Sequence, residues 1–135
     1  MSIEMKAPWS FNIDEDIIEE YNKESGSVFG HNNAPKGKVM CAIEQIYVYM
    51  SINRQRYGCL STFDKTWFLM KMEDESNQDK SLLYVSPAIS CSSRQPFTLV
   101  QAWLFILTVI EKDSGWLYST PRSSEVAKPS FFEGR

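Results

Sequence analysis

The first residues alternate in character. Ser2-Ile3-Glu4-Met5-Lys6 puts Ile3 and Met5 on one face of a short strand and Glu4 and Lys6 on the other, and Pro8 stops it. Asn12 then reads as a helix cap, with Asp14, Glu15 and Asp16 in the first turn, where the helix dipole favours acids. Ile13, Ile17, Ile18 and Tyr21 form the apolar stripe of that helix. Gly26 to Gly37 is predicted to be a polar loop rich in Gly, Asn and Pro. Val39, Ile43, Ile46, Tyr47 and Met50 recur at steps of three and four, which predicts a helix over Lys38 to Asn53. On it Gln45 and Tyr49, four apart, share a face.

Residues 56–62 and 66–71 read as two strands joined by a hairpin turn at Phe63-Asp64-Lys65. Glu73 to Lys80 is predicted to be a solvated turn, and Ser81 to Pro87 a third strand of this region. After a loop from Ser90 to Pro96, Phe97 to Lys112 is an almost uniformly apolar helix. It is expected to be packed on most sides or to cover a sheet face. Beyond Trp116-Leu117-Tyr118, residues 119–135 read as a flexible tail or linker.

Composition narrows the choices. The 135 residues fit one domain, and 43% apolar with 23% charged residues is ordinary for a soluble protein. A net charge of -3 argues against a generic polyanion binder, so any nucleic-acid contact has to be focused on a few side chains. Cys41, Cys59 and Cys91 have no C-x-x-C spacing and read as reduced thiols in an intracellular protein. With His31 the only histidine, a zinc cluster or a Ser-His-Asp site is disfavoured. No secretory leader is visible, and the longest apolar run, Ala102 to Ile110, is too short to cross a bilayer.

Three pieces in order carry a resemblance. Ile3-Glu4-Met5-Lys6 resembles the third-strand E-x-K element of PD-(D/E)xK nucleases. Gln45-Ile46-Tyr47-Val48-Tyr49 resembles the helical Q-x-x-x-Y element of RecB-like members. The string Tyr57-Gly58-Cys59-Leu60-Ser61-Thr62-Phe63-Asp64-Lys65-Thr66-Trp67-Phe68-Leu69 is similar to nuclease-like domains that precede kinase-like domains in fungal and Crinkler-type effector proteins. The resemblance spans roughly residues 3–118. It implies an α/β fold: a small mixed sheet flanked by helices, a restriction-endonuclease-like core lacking its first helix and strands.

The activity it implies is metal-dependent phosphodiester hydrolysis. Glu4 would be a ligand to Mg²⁺, Lys6 would orient water or stabilise the developing anion, and Gln45 would hydrogen-bond near them. Tyr49 would contact a phosphate of the nucleic acid. The pattern also departs from the family, because an acid is required on the preceding strand and only three residues, none acidic, stand before Glu4. The domain, residues 1–118, is therefore expected to be inactive or weakly active as it stands. The alternative is a non-catalytic interaction module of a kinase-fused or effector protein. Other expected partners are an adjoining kinase-like domain and a second copy paired through an exposed sheet edge, and no membrane.

Plainer readings compete at each position. Glu4 and Lys6 can be the solvent face of an edge strand, and Gln45 and Tyr49 the polar rim of a helix. Tyr47, Trp67 and Phe68 read as core, Asp64 as a turn residue, Asp14 to Glu20 as a solvated acidic face, and His31 as an exposed loop residue.

Overall fold

A computed structural model describes residues 1–6, 11, 13, 16–30, 37–74, 77–113 and 130–131. The elements in chain order are β1 (Ser2–Met5), α1 (Ile17–Gly30), α2 (Lys38–Ile52), β2 (Tyr57–Ser61), β3 (Lys65–Asp74), β4 (Asn77–Val85), β5 (Ile89–Ser90), α3 (Leu99–Lys112) and β6 (Ser130–Phe131). They make the mixed α/β domain that the sequence implies. The sheet runs β1-β2-β3-β4-β6, with β5 pairing with β3. β1 lies parallel to β2 and pairs Glu4 with Leu60, whereas β2, β3 and β4 form an antiparallel meander.

A parallel pair needs a long crossover, and here residues 6–56 supply it. They carry α1 and α2 onto one face of the sheet. The main core forms there, from Ile17 and Tyr21 of α1, five or more apolar side chains of α2, and Leu60, Trp67, Leu69 and Leu83 of the sheet. Phe11 joins it edge-on to Trp67. On the opposite face Cys59 and Phe68 meet α3 through Ala102, Trp103 and Ile106. Tyr47, Trp67 and Phe68 are buried, as their pattern requires.

Gly58 lets α2 approach closely. A Cβ there would lie 2.6 Å from Met50 Sδ and 3.4 Å from Ile46 Cδ1. At the start of α2 the cap Gly37 has no side chain to offer. Glu24 of α1 takes over: its carboxylate accepts hydrogen bonds from Val39 N at 3.3 Å and Met40 N at 2.6 Å. A negative group is favourable at this end of the helix dipole. Any Cβ at position 37 would collide with that carboxylate, 2.0 Å from Glu24 Cδ.

Several boundaries differ from expectation, each for a local reason. Asp16 caps α1, its Oδ1 accepting from Ile18 N at 2.9 Å, so the helix begins after it. Asn12, Asp14 and Glu15 lie outside the described residues. α1 continues through Gly26 to Gly30 instead of ending in a loop, and Glu24 within it docks on the start of α2. Of the loop that was to follow, 31–36, with His31, lie outside the described residues. Most of the stretch read as a turn over 73–80 is strand, since β3 and β4 extend their antiparallel pairing to Asp74 and Asn77. Within the presumed tail, Ser130 and Phe131 pair with Leu82 and Leu83 as β6. Pro8, Trp116, Leu117 and Tyr118 lie outside the described residues.

Of the two expectations for α3, covering a sheet face is the one met. Thr98 and Gln101 cap it reciprocally, as a capping box. Only one side of it is packed: Ala102 is buried, but Val100, Leu104, Phe105 and Leu107 are about half to two-thirds exposed. An all-apolar helix need not be an all-buried one when the sheet offers a single face. Its far end is tied down by Asp113, which accepts from Tyr57 Oη at 2.7 Å and Arg56 Nη1 at 3.0 Å. Among the described residues no helix is long and apolar enough to cross a membrane.

Burial pushes the Cys59 thiol from 9.0 up to about 12 and the Tyr21 phenol from 10.0 up to about 12, with Glu44 adding to the latter. Both neutral forms are preferred in the fold, so stability is complete below pH 9 and falls toward pH 12 as the unfolded chain ionises first. In melting scans Cys59→Ala is expected to move the onset of that loss from about pH 9 to about pH 10. Glu24→Ala and Gly37→Ala are each expected to cost about 1–2 kcal/mol in urea unfolding. The double variant should cost little more than either, since both remove one cap.

Candidate functional site

The strand period puts Glu4 and Lys6 on one face, and the parallel pairing of β1 with β2 turns that face toward α2. Ile3 and Met5 consequently point away and are about half exposed. This inverts the usual arrangement of an edge strand, in which the apolar side faces the core. Glu4 is instead mostly covered, its side chain 14% exposed, and Lys6 is 27% exposed.

Four side chains meet here in an unbroken line. Lys6 Nζ lies 2.8 Å from Glu4 Oε1. The same ammonium donates to Gln45 Oε1 at 2.9 Å. Gln45 Nε2 then donates to Tyr49 Oη at 2.9 Å. An ammonium has only protons to give, so Gln45 must turn its carbonyl oxygen to Lys6 and its amide nitrogen to Tyr49. Having accepted from Gln45, the Tyr49 hydroxyl keeps its own proton to donate outward. Tyr49 is 40% exposed, which places that donor at the surface.

The scaffold fixes both ends of this relay. Lys6 N donates to Ser61 O at 2.8 Å, and Ser2 Oγ donates to Gln55 Oε1 at 2.6 Å just beyond α2. One helical turn separates Gln45 from Tyr49, so α2 presents the pair together. The structure thus brings Glu4, Lys6, Gln45 and Tyr49 to one place, on two elements distant in sequence.

Chemically the relay offers one carboxylate, one ammonium held beside it, an amide and a surface phenol. A magnesium-type ion takes about six oxygen ligands. The carboxylate of this cluster is single and already ion-paired, and among the described residues no group of three or more His, Cys, Asp or Glu side chains is placed to hold a metal. These residues alone do not fit the ion. Lys6 and Tyr49 are a cation and a hydroxyl donor at the two ends of Gln45, groups of the kind that hold phosphate oxygens.

Sequence reasoning missed one polar feature. Lys71 is 1% exposed, with Nζ donating to Ser51 Oγ at 3.0 Å and lying 5.0 Å from the Tyr47 ring centroid. The alternation Trp67, Leu69, Lys71 puts it on the core face, and that signal was present in the strand pattern. Ser51 is equally buried, so this Ser–Lys pair meets no substrate and serves packing. Asp64 occupies the β2–β3 turn as expected, its carbonyl accepting from Cys91 N at 2.8 Å.

Comparison of the chain with protein-family models, with curated proteins and with solved structures returned no match. The fold and the cluster define a small mixed α/β domain with a Glu–Lys–Gln–Tyr relay between an edge strand and the helix that covers it.

Gln45→Leu cuts the relay at its centre and deprives both Lys6 and Tyr49 of a partner. It is expected to cost about 1–2 kcal/mol in urea unfolding, whereas Tyr49→Phe, at the exposed end, should cost under about 1 kcal/mol.

Proposed function

We propose that this chain is a PD-(D/E)xK nuclease-like domain that contacts nucleic-acid phosphate through Lys6 and Tyr49 and is inactive or weakly active in hydrolysis by itself. One observation carries the reading. The two motifs that suggested it, Glu4-x-Lys6 and Gln45-x-x-x-Tyr49, are linked side chain to side chain by hydrogen bonds. Chance surface residues 39 positions apart have no reason to align in this way.

In this reading Gln45 is a positioning residue. It fixes the Lys6 ammonium near Glu4 and orients the Tyr49 hydroxyl. Glu4 holds Lys6 and screens its charge until an anion competes for it. Mg²⁺-dependent cleavage would need carboxylates besides Glu4.

A second reading, a non-catalytic interaction module, is favoured by the Glu4–Lys6 pairing itself, which leaves the cluster close to neutral. Fluorescence anisotropy with labelled DNA and RNA separates the two. Binding that weakens about tenfold on Lys6→Ala, the loss of one charge-assisted contact, is the expected result. Plasmid incubated with Mg²⁺ or Mn²⁺ should show little or no cutting, and Glu4→Ala should abolish whatever is seen. Absence of binding to every nucleic acid tested would overturn the nuclease-like reading and leave the interaction module.

A further inference from the structure

Outside the relay, the outer side of α3 has the composition of an interface. Val100, Leu104 and Leu107 follow one another at steps of four and three, continued by Phe97 before the helix and Glu111 near its end. This is the spacing of a helix–helix seam. Val100 is 68% exposed, Leu104 61% and Phe105 67%, with Phe97 and Leu107 nearly half exposed. Together they make a patch on the order of 500 Å², at the upper end of what a monomer leaves uncovered.

The polar residues on this side do not interrupt it. Gln101 Oε1 turns back to accept from Thr98 N at 2.8 Å, and Thr108 Oγ1 donates to Leu104 O at 2.8 Å. These two contacts lie within the helix, so Gln101 and Thr108 flank the apolar stripe without breaking it. Beside the seam, Phe68, Ile89, Phe97, Ala102, Phe105 and Ile106 line an apolar pocket of about 490 Å³, open to the outside and wide enough for a partner's side chain.

We propose that α3 is a homodimer interface, packed antiparallel against α3 of a second copy about a two-fold axis near Leu104. Area favours a second copy. A standard interface takes roughly 800 Å² from each partner, and this patch is the apolar centre of such an area, with Arg94, Gln101, Thr108 and Glu111 available as its rim. A two-fold axis applies the same patch twice, so a self-complementary stripe needs no other protein.

Charge selects the direction. No charged residue occurs from Phe97 to Ile110, and the charges lie beyond the two ends, Arg94 before the helix and Glu111 and Lys112 at its close. A parallel pair would set Glu111 against Glu111 of the partner subunit. The antiparallel pair sets Glu111 over the partner's helix N-terminus and close to Arg94 of the partner subunit, where a carboxylate is favoured. In this register Val100 meets Leu107 of the partner subunit, and Leu104 meets its own counterpart.

Size-exclusion chromatography with light scattering should give twice the 15.6 kDa chain mass at roughly 100 µM. Leu104→Glu, at an already exposed position, should give the monomer with unchanged circular dichroism and melting. Ile3→Lys, on the sheet edge, should leave the dimer intact. In a Cys41→Ser/Cys91→Ser background, Leu104→Cys should form a disulfide-linked dimer with oxidised glutathione, and Val100→Cys should not. A wild-type monomer at that concentration would overturn the proposal, as would a dimer that survives Leu104→Glu or dissolves with Ile3→Lys.

Discussion

The close seating of α2 on β1 and β2 is what the rest of the structure depends on. Gly58 has no side chain, so Met50 and Ile46 can reach the strand backbone, and α2 settles low enough to bury eight of its residues. That depth has a second consequence: Gln45 arrives level with Lys6, close enough for a direct hydrogen bond. The packing contact and the relay are thus one geometric fact. A helix held further out by a side chain at position 58 would keep much of its apolar contact and lose the line from Glu4 to Tyr49.

Other interactions hold α2 in that position. Glu24 caps its N-terminus from α1, which couples the two helices end to side and replaces the cap that Gly37 cannot provide. Lys71 reaches up from β3 to Ser51 and the Tyr47 ring, a buried polar contact that fixes the helix along its axis. Burying an ammonium is costly unless it is well partnered. A hydroxyl and an aromatic face are among its partners here, and apolar packing alone would specify the helix register less strictly.

The opposite face of the sheet is built differently. α3 touches it with one narrow side and is moored at its end by the Tyr57–Asp113–Arg56 cluster. Burial and the Asp113 carboxylate both raise the Tyr57 pKa, which keeps the phenol protonated and donating. The two faces therefore divide the work. One is a filled core that positions a polar relay, and the other is a tethered apolar helix with its outer side exposed.

Much of this was legible along the chain, because periodicity reports which residues share a face. It identified α2, the meander and the common side of Glu4 and Lys6, and the four-residue step joined Gln45 to Tyr49. Periodicity does not report which face another element will cover. Glu4 and Lys6 read as an edge strand's solvent side, and only the parallel pairing of β1 with β2 brought α2 over them while leaving Ile3 and Met5 outside. In the same way, the composition of α3 left open whether it would be packed on most sides or cover a sheet face, and it covers the sheet with one side while its outer side stays exposed. Local sequence determined the elements and the polarity of their faces. The order of strands in the sheet, a matter of contacts far apart in the chain, decided which of those faces met.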